Sequence, residues 1–128
     1  MIYSHETALF LHRLSDREPI KYRVTLPTGY NTTQITQEGL IVYTIKPSVF
    51  ELGKMIIKSP FGNDIVVYDK ERTICDIIRS RNRIDKQIIN DGLKSYVNDS
   101  TKDLIKLIRY ANKLGIETVV RTYMEILL

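Results

Sequence analysis

The residues of this sequence that could carry out catalysis are two histidines, one cysteine and a few acidic side chains. His5-Glu6 begins like a zinc-protease motif, but Leu9 stands where that motif needs its second histidine. His5 and His12 lie seven residues apart, which is about 10 Å along a helix, and two ligands of one metal must be closer than that. We therefore interpret both histidines as structural or surface residues.

The single cysteine, Cys75, could act as a nucleophile only beside a base and in an accessible, electropositive pocket. It lies in an apolar stretch, on a segment that we expect to form a helix packed against the core. We interpret Cys75 as a small buried hydrophobic residue. The six glycines are scattered singly, so the sequence contains no glycine-rich loop that could cradle a phosphate.

Acidic residues near an expected hairpin raise the question of a metal-dependent nuclease. Nucleases of the restriction type hold an Asp and a Glu-x-Lys on adjoining strands, because two carboxylates must share a divalent metal. Asp64 could be the first carboxylate, but the strand Ile65-Val66-Val67-Tyr68 that follows contains no Glu-x-Lys. Glu71 lies at a helix start, where acidic residues serve capping and the helix dipole. We predict no catalytic residue, no metal ligand and no cofactor.

A basic cluster in the second half of the sequence is the strongest candidate for a binding surface. It consists of Arg79, Arg81, Arg83 and Lys86. Alternating arginines in a connector between two helices could clasp the phosphate or carboxylate groups of nucleic acid or of a protein partner. A structural role is favoured over binding for the cluster, because Arg79 and Arg81 could neutralise the end of a helix dipole, with Asp76 and Asp85 as internal partners. The four residues are kept as the candidate contacts if the chain binds a partner.

A second basic patch precedes and covers the outer face of the first expected strand. It comprises Arg13, Arg17, Lys21 and Arg23. We interpret it as the solvated face of a strand rather than as a binding site.

The totals indicate one domain over residues 1–128 with a core of its own. The formal net charge of +4 permits binding to nucleic acid or to an acidic protein but does not require it. One cysteine excludes an internal disulfide, and the N-terminus lacks a secretory signal. No apolar run is long enough to span a bilayer, so we expect a cytoplasmic protein without a membrane partner.

The pattern of apolar residues divides the chain into a first half rich in strands and a helical second half. Ser4 is expected to cap a helix that runs to about Ser15. The expected strands are Ile20–Leu26, Leu40–Ile45 covered on both faces, and a hairpin of Met55–Lys58 with Ile65–Tyr68. A short helical turn at Pro47–Leu52, ended by Gly53, is expected before the hairpin.

Capping residues mark the expected starts of the helices in the second half. They are Asp69, Asn82 with Asp85 three residues on, and Ser100 with Asp103; Gly115 is expected to end the third of these helices and a fourth follows it. Together these elements predict an α+β fold, in which a small mixed β-sheet with a hairpin is packed by an N-terminal helix and a C-terminal block of helices.

Long composite patterns in this sequence resemble the C-terminal domain of AbiEi-family antitoxins. They are Ser4-His5-Glu6-Thr7-Ala8-Leu9, Leu11-His12, Leu14-Ser15-Asp16-Arg17, Val24-Thr25-Leu26-Pro27 and Gly29-Tyr30-Asn31 in the first half. The strongest match runs from Val67 to Arg79 and continues through Arg81-Asn82, Ile84-Asp85, Gln87 and Asn90, and Tyr123–Leu128 resembles the end of that family. The resemblance covers essentially the whole chain.

The resemblance implies the antitoxin of a bacterial abortive-infection (phage-defence) operon, which counters a nucleotidyltransferase-like toxin and assists repression of that operon. It also implies a core similar to restriction endonucleases but without their catalytic residues. The sequence begins directly at the part similar to the C-terminal domain, so we expect the N-terminal winged helix of the family to be absent. Arg13 stands where the family commonly has glycine.

Three hypotheses follow in order of preference. The first is an antitoxin and regulatory module without enzymatic activity, whose contact residues are Arg79, Arg81, Arg83 and Lys86. The second is a standalone nucleic-acid-binding domain that is also not an enzyme. The third is a divalent-metal nuclease that uses Asp64 and Glu71.

Overall fold

A computed structural model of the chain describes all residues from Met1 to Leu128. It contains a five-stranded mixed β-sheet and seven α-helices, which confirms the predicted α+β class. The strands are β1 (Ile2–Tyr3), β2 (Arg23–Pro27), β3 (Ile41–Ile45), β4 (Lys54–Lys58) and β5 (Asp64–Tyr68). The helices are α1 (His5–Leu11), α2 (Thr33–Gln37), α3 (Pro47–Phe50), α4 (Lys70–Arg79), α5 (Lys86–Val97), α6 (Leu104–Lys113) and α7 (Glu117–Leu127), and one 3₁₀ turn spans Arg81–Arg83.

The sheet has the strand order β3-β2-β1-β5-β4, with the shortest strand at its centre. The β1 strand pairs antiparallel with β2 and parallel with β5, and it thereby joins the two halves of the sheet. The expected hairpin is confirmed, because β4 and β5 pair antiparallel from Lys54 opposite Tyr68 to Lys58 opposite Asp64. Val24, Thr25 and Leu26 are all buried, so both faces of β2 are covered.

The core lies mainly between α4 and the helices that surround it. All residues of α4 from Glu71 to Ile78 are buried, and this helix packs against α1, α5, α6 and α7. A helix that is buried on every side must have apolar residues on all of its faces, or its buried polar groups must be paired. The largest cluster of buried residues contains Leu9, Leu14, Ile74, Cys75, Ile77, Ile78, Ile84, Ile89, Leu93, Tyr96, Leu107, Tyr110, Ala111, Val120 and Met124.

The first helix ends at Leu11, four residues before the predicted end at Ser15, because Arg13 adopts a left-handed conformation with φ 61°. Arg13 N–H donates to the carbonyl of Phe10, and Leu14 N–H donates to that of Leu9. This pair of bonds is a Schellman motif, which usually has glycine at the left-handed position.

Several predicted boundaries in the first half are wrong. The strand predicted from Ile20 begins only at Arg23, and the Ile20 side chain is 100% exposed. Ser4 lies at the N-terminal cap of α1, but its hydroxyl makes no capping hydrogen bond. The β3 strand is an edge strand with Thr44 exposed, so it is not covered on both faces. The short elements β1 and α2 were not predicted.

Two of the predicted helix starts in the second half are also wrong. Asn82 lies in the 3₁₀ turn, and Asp85 caps α5 by accepting from Gln87 N–H. Asp103 alone caps α6, through Lys106 N–H. The cap of α4 by Asp69 is confirmed, as are the turns at Gly53 and Gly115, both of which have positive φ. None of the helices combines the length and the apolar character that a membrane crossing needs.

Candidate functional site

The four residues of the predicted basic cluster lie close together in sequence but have different surroundings. Arg79 ends α4, Arg81 and Arg83 belong to the 3₁₀ turn, and Lys86 is the first residue of α5. The connector therefore follows the C-terminus of one helix and leads to the N-terminus of the next. Arg81, Arg83 and Lys86 are exposed, whereas Arg79 is partly buried.

Arg79 is held by the core, as the structural alternative proposed. Its Nη2 donates to Asp76 Oδ1 at 3.1 Å, and 26% of its side chain is exposed. The expected partner Asp85 is instead occupied with capping α5. Arg79 also lies in the last turn of α4, where a positive charge stabilises the helix dipole. Arg79 therefore mainly stabilises α4, and only a minor part of its side chain contributes to the surface.

Arg83 packs on an aromatic ring. Its Cζ lies 4.1 Å from the ring centroid of Tyr43, in the range of a cation–π interaction. The imidazole of His5 stacks on the same ring at 3.6 Å with an angle of 11° between the planes. Because the two groups cannot occupy the same volume, they cover opposite faces of Tyr43. The guanidinium of Arg83 is thus oriented by β3 while it remains exposed to solvent.

Arg81 and Lys86 are the two members of the cluster whose charges are free for a ligand. Arg81 Nη1 donates to the carbonyl of Ile78 at 2.8 Å, which satisfies an open carbonyl at the end of α4. Neither Arg81 nor Lys86 forms an ion pair. Both line a surface cavity of about 310 Å³ between the connector, α5 and α7. We refer to it as the connector cavity; its lining residues are Arg81, Asn82, Lys86, Ile89, Asn90 and Tyr123.

The side chains of α4 form a buried ionic network. Arg72 is 0% exposed, and its Nη1 donates to the carbonyls of Val49 and Leu52 at 2.8 and 2.7 Å. Its Nε donates to Asp76 Oδ1, and its guanidinium lies 4.0 Å from the Tyr68 ring centroid. These contacts connect α4 to the α3 turn and to β5.

Glu71, on the neighbouring side of α4, belongs to a second set of structural contacts. Its Oε2 accepts hydrogen bonds from the Tyr96 hydroxyl at 2.7 Å and from Asp103 N–H at 3.1 Å. Lys106 Nζ lies 3.4 Å from Oε1. Glu71 thus joins α4 to α5 and to the start of α6, as a buried carboxylate must be paired to remain in the core.

The carboxylates of the nuclease hypothesis are not brought together. Asp64 is exposed at the start of β5, where it pairs with Lys58 at 2.6 Å. Glu71 follows the opposite end of that strand, and four steps of about 3.3 Å along β5 separate its two ends by about 13 Å. Two carboxylates so placed cannot share one metal ion. No group of three or more metal-binding side chains occurs in the structure.

His5 lies in a closed pocket of hydroxyl groups. Its Nδ1 is 2.8 Å from Ser4 Oγ, its Nε2 is 3.1 Å from Ser80 Oγ, and Thr25 donates to Ser4 Oγ. Because Ser4 accepts from Thr25, its own proton is free for Nδ1, and the imidazole then donates from Nε2 to Ser80. Burial lowers the pKa of His5 to about 4, so the ring is neutral at pH 7. The residue has φ 55° and no access to solvent.

The remaining candidates also have structural surroundings. His12 Nε2 is 2.7 Å from the Tyr68 carbonyl, and burial lowers the pKa of this histidine. Cys75 is fully buried as predicted, and burial raises the pKa of its thiol. In the second basic patch, Arg23 is not fully solvated, because its Nε lies 3.2 Å from Glu6 Oε2. Arg13, Arg17 and Lys21 are exposed.

The connector cavity adds lining residues that were not predicted from the sequence. Asn90 and Tyr123 lie 33 residues apart in the chain and face the same cavity. Nothing in their residue types or sequence positions predicts that they lie close together.

No protein-family model matches the chain, and no curated protein matches it significantly.

Proposed function

We propose that the chain is a binding and regulatory domain without catalytic activity, the antitoxin part of a bacterial abortive-infection pair that counters a nucleotidyltransferase-like toxin. The observation that carries the proposal is the exposed connector, where Arg81, Arg83 and Lys86 have no carboxylate partner. Reactive side chains such as His5 and Cys75 are buried and bonded within the core. This contrast favours a surface that meets a partner over a site that transforms a substrate.

The family resemblance supplies the identity of that partner. The segment with the strongest match, from Val67 to Arg79, forms β5 and α4 and supports the fold through Arg72 and Asp76. The residues that oppose the toxin would then lie at the surface of the domain, outside this buried segment. We place this role in the bacterial cytoplasm, and we propose that the domain also assists repression of its own operon.

A growth assay tests the proposal. The chain is co-expressed with a nucleotidyltransferase-like toxin of the abortive-infection type, and growth is compared with that of cells expressing the toxin alone. Wild-type chain should restore growth, and Arg81→Glu/Lys86→Glu should restore much less. Lys46→Glu/Lys113→Glu is the matched control, because both lysines are exposed, form no ion pair, and give the same change in net charge.

Absence of any growth rescue by the wild-type chain would remove the antitoxin role. Equal rescue by the connector variant and by its control would retain the role but remove the connector as its contact surface. The connector variant keeps Arg79, because a change of its charge would disturb the pair with the buried Asp76. It also keeps Arg83, because that residue packs on Tyr43.

The same unpaired cations favour a second candidate function, which is nucleic-acid binding by the chain alone. Three phosphate contacts would give a plot of log affinity against log salt concentration with a slope of about −3. Fluorescence anisotropy with a labelled DNA duplex at several salt concentrations measures that slope. No binding at low salt, or binding that is insensitive to salt, would exclude this function.

A further inference from the structure

Most of the side-chain hydrogen-bond donors that line the connector cavity have no acceptor within the protein. Two of its lining residues are cations, Arg81 and Lys86, and three others carry amide or hydroxyl donors: Asn82, Asn90 and Tyr123. Only Arg81 Nη1 has a partner within the protein, the carbonyl of Ile78. No carboxylate lines the cavity. Donors from three separate elements therefore face one concave space.

The geometry points to a site for a terminal phosphate group of a small molecule of nucleoside monophosphate size, and we propose this ligand class for the connector cavity. A phosphate monoester carries three acceptor oxygens and nearly two negative charges, which match two cations and several neutral donors. The volume of about 310 Å³ is at the lower end of small-molecule sites.

The number of donors around the cavity favours a terminal phosphate over a phosphodiester within a chain. A terminal phosphate has three free oxygens and nearly two negative charges, which can meet both cations and the neutral donors at once. A backbone phosphodiester has two free oxygens and one negative charge, and it is flanked by sugars on both sides. The half-buried ring of Tyr123 also lines the cavity. It offers an apolar surface to the body of the ligand, as in most small-molecule sites.

This inference does not depend on the antitoxin role, because it concerns a ligand and not the toxin. Binding is measured by NMR titration of the full chain with inorganic phosphate, AMP and adenosine. We expect resonances of the Asn90 and Asn82 side chains to shift with phosphate and with AMP, and AMP to bind more tightly than phosphate. Adenosine, which lacks the phosphate, should bind at least about tenfold more weakly than AMP, since charged hydrogen bonds are lost.

A pair of matched variants separates the cavity from the overall charge. Asn90→Asp places a carboxylate in the cavity, and Asn98→Asp places one at the exposed C-terminal end of the same helix. AMP affinity should fall about tenfold or more in Asn90→Asp and stay within about twofold of wild type in Asn98→Asp. A single-stranded oligonucleotide with and without a 5′-phosphate tests the other source of phosphate, and only the phosphorylated form should compete with AMP.

Three results would overturn the proposal. AMP that binds no more tightly than adenosine would show that the phosphate is not recognised. Equal weakening by Asn90→Asp and Asn98→Asp would show that only net charge matters. An oligonucleotide without a terminal phosphate that displaces AMP would show that the surface binds a backbone. The growth assay has a separate readout, so failure of the antitoxin role leaves each of these results interpretable.

Discussion

Replacement of Arg72 by methionine tests the claim that the buried network of α4 supports the fold. Methionine retains much of the aliphatic volume but removes the guanidinium, which is 0% exposed. Asp76, also 0% exposed, would keep only its contact with Arg79, and the carbonyls of Val49 and Leu52 would no longer accept from the guanidinium. Removal of one partner from a buried ion pair costs about 3–5 kcal/mol, because the remaining charge is left uncompensated.

Urea unfolding measures this cost. The chain has eight tyrosines and no tryptophan, so tyrosine fluorescence and far-UV circular dichroism are the two probes. With a denaturant dependence of about 2 kcal/mol per molar urea, a loss of about 4 kcal/mol lowers the midpoint by about 2 M. This loss is a large fraction of the roughly 5–15 kcal/mol by which domains are stable.

The double variant Arg72→Met/Asp76→Leu distinguishes a charge effect from a packing effect. It removes the carboxylate that Arg72→Met leaves unpaired, and Arg79 can turn to solvent because it is partly exposed. We expect the double variant to recover at least about 2 kcal/mol relative to Arg72→Met. A shift of the Arg72→Met midpoint by less than about 0.5 M, or no recovery in the double variant, would refute the reasoning.

Three further changes probe the conformation and protonation of single residues. The pKa of His5 is lowered by burial from 6.5 to about 4, so its contribution to the unfolding free energy should fall by about 3 kcal/mol as the pH drops from about 6.5 to 4 and stay level between about pH 7 and 8. Measured by urea unfolding at several pH values, the loss of stability at acidic pH should be much smaller in His5→Asn, and the part that is left is expected from His12, whose pKa burial also lowers; an unchanged profile would contradict the prediction. Arg13→Gly should raise the melting temperature by about 3 °C, since glycine adopts the φ of 61° without strain, whereas Arg13→Ala should bring no gain. Gly53→Ala should cost at least about 2 kcal/mol, because its φ is 84° and an added Cβ would lie 2.8 Å from Arg72 Cβ. Gly29→Ala, with φ 102° and nothing within 4 Å, should cost clearly less, and equal costs would show that the close contact is unimportant.

The alternation of apolar residues predicts a strand correctly where a neighbouring strand pairs with it along its whole length. The alternation around Val24 and Leu26 predicts β2, and β3 pairs with every residue of that strand. Ile20 continues the same alternation but is fully exposed, because the pairing with β3 starts only at Arg23. A periodic pattern thus shows which side chains would share a face, but the extent of the neighbouring strand decides where the strand begins.

Burial of Arg72 could not be predicted because its backbone acceptors are distant in the chain. Arg72 follows a helix start, where a solvated arginine is the ordinary expectation, and its acceptors at Val49 and Leu52 lie 23 and 20 residues earlier. The basic cluster was visible as a pattern of four cations. The contact of Arg79 with Asp76 follows from their i,i+3 spacing on α4. The contact of Arg83 with Tyr43 joins residues 40 positions apart, and sequence spacing does not predict it.

The most direct test of the central claim compares a variant of the exposed connector with variants of two side chains that could take part in catalysis, in one growth assay. Arg81→Glu/Lys86→Glu is tested beside His12→Gln and Asp64→Asn, each co-expressed with the toxin at matched protein levels. The proposed function predicts that the connector variant loses protection while both other variants protect as well as wild type. Loss of protection in Asp64→Asn or His12→Gln, with full protection by the connector variant, would contradict it.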